Sequence, residues 1–287
     1  MTIIADGKAL AEKIYEEIKK ETEKLEKKPT LAVIITKDNE AGKIYVRNKQ
    51  RACEKTGINS VTEELDADVS EKEFLDRINE LNNDDSVDAI LVQLPLPRHL
   101  DTEKILNAIS SEKDADGFHY ENAGKLFTGQ IPNSVACTPK GILRILDEYK
   151  INLEGLNALV IGRSNIVGKP VSQLLLQRNA TVTTAHSRTK NLEFYTKNAD
   201  LIVCATGKPK FLKGEMVKEG VIVIDVGISR LDGKLCGDVD FDSVAPKSSF
   251  ITPVPGGVGP MTVAMLIQNT LNLAKRQTNL LKDNNFS

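Results

Sequence analysis

Tryptophan is absent from the 287 residues, and phenylalanine and tyrosine bring the aromatic share to only 5%. So few rings leave little from which to build a base-stacking platform for single-stranded nucleic acid. An excess of either charge is also lacking. The 38 basic and 40 acidic residues give a net charge of −2, which excludes a nucleic-acid binder relying on bulk positive potential. Cysteine is sparse: Cys53, Cys137, Cys204 and Cys236 form no C-x-x-C pair. That scatter offers neither a zinc site nor a disulfide framework and fits a reducing cytoplasm. The three histidines, His99, His119 and His186, have no metal-ligand spacing, so no metal is expected. No apolar run is long enough to span a bilayer, and MTIIADGKALAEKI lacks a basic-then-apolar signal pattern. These bounds favour a soluble, cytoplasmic enzyme acting on a small molecule, with neither a membrane nor a nucleic acid as partner.

What is present is enough apolar content, 40%, for a real core, and a length that allows one or two domains. The stretch 156–189 organises the rest. It opens with the β-type run Ala158-Leu159-Val160-Ile161 and turns at Gly162-Arg163-Ser164. Gly168 closes that turn, and Pro170 stands where a helix would begin. Val171, Leu174 and Leu175 follow as helix, and 180–185 as a second strand. Strand, glycine turn, helix, strand is the first half of a dinucleotide-binding fold. A helix N-terminus there offers free N–H groups to a pyrophosphate. The spacing Gly162-x5-Gly168 is not the G-x-G-x-x-G fingerprint, and an ordinary βαβ unit fits it equally well.

Before this unit, strands and helices already alternate. Residues 7–27 carry Leu10, Ile14, Ile18 and Leu25 near helical period. A buried strand is expected over 30–36 and a helix over 41–56 ending at Gly57. A strand lies within 59–65, and Ser70 and Glu73 form a capping box for a helix over 71–81. A further strand, 88–94, stops at Pro95. The segment 108–138 reads as loop and crossover, followed by a helix over 139–149. Strands at 199–205 and 221–226 follow, then the shaped loop 252–262, TPVPGGVGPMT, and a long helix to about Lys275. The tail after Gln277 reads as loosely ordered. Two α/β segments, each with a mostly parallel sheet, are the expected fold.

Three groups of residues could carry chemistry. Tyr45 and Lys49 stand four apart on one helix face. A solvated lysine beside a half-buried tyrosine has the same spacing. Short-chain dehydrogenases also use Tyr-x-x-x-Lys, but after the cofactor strand, whereas here it precedes that strand by over a hundred residues. Gln93 closes an apolar strand, where an unpartnered amide costs roughly 1–3 kcal/mol; satisfying a loop backbone is its plainest role. Asp114 and Asp116 lie in the loop KDADGFH, which reads equally well as a solvated turn.

Taken together, these pieces resemble the methylenetetrahydrofolate dehydrogenase/methenyltetrahydrofolate cyclohydrolase family. The resemblance is carried in order by ADGKALAEKI (5–14), YVRNK (45–49), LVQLPLP (91–97), KDADGFH (113–119) and CTPKG (137–141). It continues through VIGRSNIVGKP (160–170), CATGKP (204–209), VIDVGI (223–228) and ITPVPGGVGPMT (251–262). The chain departs from the family's pattern at Thr36-Lys37 (usually Val-Gly), Ala41-Gly42 (usually Ala-Ser) and Ala136 (usually Pro).

The resemblance implies a substrate domain over 1–138, completed by the helix 262–287, and a Rossmann-like NADP-binding domain over 139–261, with a cleft between them. It implies oxidation of 5,10-methylenetetrahydrofolate, then hydrolysis of the methenyl cation to 10-formyltetrahydrofolate, by a homodimer in one-carbon metabolism that feeds purine biosynthesis. By the same resemblance Lys49 is the general acid/base, held and tuned by Gln93. Tyr45 orients the folate and Asp116 anchors its pterin. Val92, Leu94 and the loop Pro255-Gly256-Gly257-Val258-Gly259 line the folate site, and Gly162, Arg163, Ser164, Ser187 and Ile228 hold the dinucleotide.

One further expectation rests on the residues themselves. NAD-specific folds place an acid at the end of the second strand. Here Thr184-Ala185-His186-Ser187-Arg188-Thr189 has none, and Arg163 and Arg188 favour the 2′-phosphate of NADP. Two other readings compete. A monofunctional dehydrogenase would have no need of a proton-shuttling Lys49. A regulatory nucleotide-binding protein would not need Lys49, Gln93 and Asp116 together.

Overall fold

Among the described residues, two parallel sheets account for nine of the eleven strands. The structure is a computed structural model. It describes residues 1–231 and 233–284, with the side chains of all of these except Ala41 and 279–284. The chain divides into two compact units, Met1–Glu12 with Ala136–Thr262, and Lys13–Val135 with Val263–Ser287.

The chain begins with β1 (Ile3–Ile4) and α1 (Gly7–Thr22). The unit Lys13–Val135 then contains β2 (Thr30–Thr36), α2 (Glu40–Thr56), β3 (Asn59–Leu65), α3 (Glu71–Asn82), β4 (Ala89–Val92), α4 (Thr102–Ala108) and α5 (Tyr120–Phe127). Its sheet has the order β3-β2-β4, all parallel. Central β2 is buried at all seven positions, which explains its unbroken apolar run. Edge strand β3 has no fully buried residue. Phe74, Ile78 and Leu81 of α3 pack with Ala32, Ile34, Ile90 and Val92 to form the core. Both expected caps are present. Ser70 and Glu73 close a capping box on α3, and Gly57, at φ 73°, ends α2 with its N–H donated to Cys53 O and Glu54 O.

The other unit contains α6 (Cys137–Glu148), β5 (Asn157–Ile161), α7 (Gly168–Gln177), β6 (Thr181–Ala185), α8 (Leu192–Asn198), β7 (Leu201–Cys204) and β8 (Val221–Asp225). It continues with the antiparallel ribbon of β9 (Ser229–Leu231) and β10 (Lys234–Cys236), then α9 (Phe241–Val244) and β11 (Ser248–Ile251), and the chain ends in α10 (Val258–Asn284). The sheet order is β1-β11-β8-β7-β5-β6, every pair parallel. From β5 the chain steps to β6 on one side and then crosses to β7 on the other. The order therefore reverses between β5 and β7, which is where open α/β sheets bind ligands.

Several expectations need correction. The segment 108–138 is not all loop, since α5 lies within it, capped by His119, whose Nδ1 accepts the Glu121 N–H. The last helix starts at Val258, inside the expected loop 252–262, and its backbone stays helical through Asn284. The first twelve residues cluster with Ala136–Thr262 because β1 pairs with β11 and Ala5 N–H donates to Ile251 O at 2.9 Å.

Candidate active site

In the unit Lys13–Val135 the sharpest feature is a lysine and an amide brought together across 44 positions of sequence. Lys49 Nζ donates to Gln93 Oε1 at 2.9 Å, while Gln93 Nε2 donates to Leu94 O at 2.8 Å. Both ends of the amide are therefore engaged, and the side chain is fixed in one orientation. Its backbone is held as well, Gln93 N–H donating to Ile34 O at 2.8 Å. Gln93 is buried and Lys49 half-buried. One turn earlier on α2, Tyr45 is 46% exposed, so its ring is available to a ligand. The expected α2 face is thus assembled, with Val92 and Leu94 flanking Gln93.

The prolines after Gln93 are tied to the start of α2 through Asn39, which the sequence reading overlooked. Asn39 Oδ1 accepts the Gly42 N–H at 2.8 Å and Nδ2 donates to Pro95 O at 3.1 Å. One side chain therefore sets both the helix that carries Lys49 and the loop that follows Gln93. The Leu94–Pro95 peptide is cis.

Asp114 and Asp116 turn out to be different in kind. Asp114 is 2% exposed. Its carboxylate accepts Gly117 N–H (2.9 Å), His119 N–H (2.9 Å) and Asn122 Nδ2 (3.0 Å). It is the frame of its loop, where a solvated turn was one reading. Asp116 is half-buried. Ile90 and Asp114 form a parallel bridge, with Ile90 N–H donating to Lys113 O at 2.7 Å and Ala115 N–H to Ile90 O at 3.1 Å. Two residues further along each strand lie Val92 and Asp116, so the loop delivers Asp116 to the sheet edge where Gln93 stands. Asn269 of α10 secures the same loop by donating to Ala115 O and Val135 O, each at 2.9 Å.

In the other unit the dinucleotide candidates gather along one sheet edge. Ile161 pairs with Ala185, so Gly162-Arg163-Ser164 and His186-Ser187-Arg188 emerge side by side, and Arg163, Ser164, Ser187 and Arg188 are all exposed. Gly162 has φ 134°, and a Cβ there would sit 2.3 Å from Ala205 O, so β5 and β7 approach through a gap only glycine leaves. Ser164 Oγ accepts the Val167 N–H at 3.2 Å, shaping the entry to α7. These residues fit a phosphorylated dinucleotide: two guanidiniums and two hydroxyls, exposed at a helix entry with no carboxylate among them. Ile228 follows β8, half-exposed, and a Cβ on Gly259 would meet its Cδ1 at 3.4 Å. Pro255-Gly256-Gly257 joins β11 to α10, with Lys8 N–H donating to Gly256 O at 3.1 Å. Val258 and Gly259 already belong to the first turn of α10.

Two buried acids beside this edge escaped the sequence reading. Asp225 ends β8 and Asp238 follows β10, at 3% and 0% exposure. Burial, with a smaller contribution from the charge of Asp238, pushes the Asp225 carboxyl up to about 6, against three backbone N–H donors that favour its ionised form. An acid closing the apolar run VIVID is the same signal that singled out Gln93 and could have found it.

Among the described residues no group of three or more His, Cys, Asp or Glu is placed to hold a metal ion. No described helix is long and apolar enough to cross a membrane.

A doubly wound parallel sheet with a glycine turn at its reversal point, joined in one chain to a second parallel sheet that presents a lysine–amide pair, defines a dinucleotide-dependent α/β enzyme. Two family models match the chain. The tetrahydrofolate dehydrogenase/cyclohydrolase catalytic domain covers residues 5–116 and the NAD(P)-binding domain of the same family covers 136–278. The chain belongs to the tetrahydrofolate dehydrogenase/cyclohydrolase family and is a bifunctional methylenetetrahydrofolate dehydrogenase and methenyltetrahydrofolate cyclohydrolase. It is 56% identical over 283 residues to the bifunctional protein FolD of Campylobacter hominis, covering 97% of this chain and 99% of that one. The crystal structure of the bifunctional FolD enzyme from Campylobacter jejuni superposes with a TM-score of 0.95 at 50% identity, covering 96% of this chain and all of that one. The dehydrogenase-cyclohydrolase of Trypanosoma brucei, solved with NADP cofactor and inhibitor, is 37% identical with a TM-score of 0.92, over 96% of this chain and 98% of that one.

Proposed function

We propose that the Lys49 group binds the folate and performs the hydrolysis, that the β5–β6 edge selects NADP over NAD, and that the two chemistries share one bound folate. The observation that carries this reading is the Lys49–Gln93 hydrogen bond of 2.9 Å at the carboxyl end of β4, with Tyr45 one turn away on the same helix.

When bound, NADP supplies the hydride acceptor for the methylene carbon. Tyr45 packs on the folate and orients it, and Asp116 accepts hydrogen bonds from the paired N–H groups of the pterin. For the hydrolysis, Lys49 takes the proton that the attacking water loses and returns one to the departing nitrogen, while Gln93 keeps the amine in place through its Oε1. Arg163, Ser187 and Arg188 bind the 2′-phosphate, and Gly162 and Ser164 shape the approach to the pyrophosphate. Ile228 and the loop Pro255–Gly259 line the ligands from the β8 and β11 ends.

In domain terms, residues 13–135 with 263–287 act on the folate, and 136–262, with 1–12 adding an edge strand, act on the dinucleotide. The protein is proposed to work as a cytoplasmic homodimer whose 10-formyl product feeds purine biosynthesis. The cytoplasmic placement is supported by four cysteines that are all free thiols, and the dimer by family resemblance, which a solution mass from light scattering checks. The test of the whole reading is a spectrophotometric assay of the purified protein with methylenetetrahydrofolate and each nicotinamide. A higher kcat/KM with NADP, followed by 10-formyl product, is expected. Equal efficiency with NAD would remove the 2′-phosphate role of Arg163.

A further inference from the structure

Asp225 ends β8 and Asp238 follows β10; Asp225 holds the backbone at Gly227, Asp238 and Val239, and Asp238 in turn holds the turn after β7. Asp225 Oδ1 accepts the N–H groups of Gly227 (3.0 Å) and Asp238 (2.9 Å), and its Oδ2 accepts that of Val239 (3.0 Å). Asp238 Oδ2 in turn accepts the N–H groups of Thr206 (2.6 Å) and Gly207 (2.8 Å) in the turn after β7. The two carboxylates are seated where side chains are missing. A Cβ on Gly237 would lie 1.8 Å from Asp225 Oδ2, and a Cβ on Gly227 would lie 2.1 Å from Asp238 Oδ1. That Oδ1 is buried without a hydrogen-bond partner among the described residues. Leaving a buried carboxylate oxygen unsatisfied is costly, and the fold retains it while the other oxygen holds the turn after β7.

The position of these turns says what the arrangement is for. The strand order reverses between β5 and β7. A dinucleotide whose 2′-phosphate end lies toward β6, at Arg163 and Arg188, therefore extends its other half past the ends of β7 and β8. Those ends are Thr206-Gly207 and Gly227-Ile228, the segments the two aspartates hold.

We propose that Asp238 and Asp225 are positioning residues for the dinucleotide, acting only through backbone N–H groups to fix the β7 and β8 turns against which its nicotinamide half lies. The inference rests on the placement of NADP given above. It adds a division of labour: arginines and hydroxyls hold one end of the cofactor by contact, and an interlocked pair of buried acids shapes the bed for the other.

The test measures NADPH binding by fluorescence titration, together with dehydrogenase activity and hydrolysis of supplied methenyl substrate, on Asp238→Ala, Asp238→Asn, Gly227→Ala and Arg163→Ala. Asp238→Ala frees the Thr206 and Gly207 N–H groups, and NADPH affinity should fall about tenfold or more, the equivalent of roughly one lost charge-assisted contact. The loss in dehydrogenase kcat/KM for NADP should exceed the loss in hydrolysis by about the same factor. Asp238→Asn keeps an acceptor oxygen for both donors and should recover most of the affinity. Gly227→Ala displaces Asp238 without removing it and should weaken NADPH with the acid still present. Equal loss of both activities in Asp238→Ala, matched by equal loss in Asp238→Asn, would reduce the pair to general scaffolding and overturn the proposal. So would undiminished NADPH binding in Asp238→Ala while Arg163→Ala binds weakly. If Arg163→Ala and Asp238→Ala both bind NADPH normally, the cofactor placement itself is wrong and this inference falls with it. If Asp238→Ala does not fold, Gly227→Ala and Asp238→Asn decide the question alone.

Discussion

Lys49 meets Gln93 through one hydrogen bond of 2.9 Å, and the two reactions make unequal demands on it. Hydride leaves the methylene carbon without a proton being taken up, whereas hydrolysis must strip a proton from water and deliver one to nitrogen. A positioned proton shuttle is worth roughly 10²–10⁴-fold. Lys49→Met keeps the apolar stem and removes the amine, so hydrolysis should fall by at least about 10²-fold while part of the dehydrogenase activity persists. The measurement is 10-formyl product from supplied methenyl substrate, corrected for spontaneous hydrolysis; an unchanged rate would make Lys49 a bystander. A second residue-scale prediction concerns Thr36, which stands where the family usually has valine. Its side chain is fully buried, and its Oγ1 has no hydrogen-bond partner among the described residues. Thr36→Val keeps the shape and removes the unsatisfied hydroxyl, so it should stabilise the protein by about 1 kcal/mol or more. The denaturation midpoint should rise with an unchanged m-value. A lower midpoint would mean that the hydroxyl is satisfied after all.

At the scale of elements, the loop 113–119 shows how neighbouring acids divide their work. Asp114 supplies three hydrogen bonds to the loop and to α5, and Ser134 Oγ donates to its carbonyl. Removing its carboxylate leaves two backbone N–H groups without an acceptor and takes one of three acceptors from the Asn122 amide, at a cost of about 2 kcal/mol or more. Asp114→Ala should therefore lower the melting temperature and depress both activities together. Asp116→Ala should raise the folate KM in both reactions. Loss of only one activity in the Asp116 variant would contradict pterin anchoring. The same loop marks the limit of what was legible in the sequence. The capping box at Ser70, the αL glycine at Gly57 and the unbroken run of β2 were readable because their signals are local or strongly periodic. α5 was not, because it is a two-turn helix whose cap is a histidine and whose anchor, Asn122, is a buried polar residue that breaks the apolar pattern. β1 and β11 escaped for a related reason: two- and four-residue strands are specified by their partners and carry no period of their own. Lys49 and Gln93 stood out in the sequence as polar groups on a helix face and at the end of an apolar strand, and the structure pairs them; Asp116 was singled out through the family resemblance. Asn39, Asp225 and Asp238 act through backbone groups, which sequence does not display.

For the whole molecule, buried Asp225 gives a pH signature opposite in sign to that of the surface carboxylates. Glu21, hydrogen-bonded to Lys24 and Lys275, is held at about 2, and Glu71, Glu73, Glu121, Asp200 and Asp240 are lowered by hydrogen bonds. Groups held low in the folded state stabilise it above their unfolded values, and that contribution is lost as pH falls through their folded values. Asp225 runs the other way. Burial raises it from 3.8 to about 6, so between those values the folded state binds a proton that the unfolded state does not. Stability contributed by this group is therefore present below its unfolded value and lost as pH rises through about 6. Total stability mixes both signs, so the group has to be isolated by difference. Asp225→Asn has no titration there, and whatever fixed cost its amide incurs against the Val239 N–H is independent of pH. The unfolding free energy of the unchanged protein minus that of Asp225→Asn should therefore rise by about 2–3 kcal/mol as pH falls from about 6.5 to about 4. Denaturant titrations at closely spaced pH values measure that difference. A flat difference would show that Asp225 stays ionised throughout, with its three backbone donors outweighing its burial.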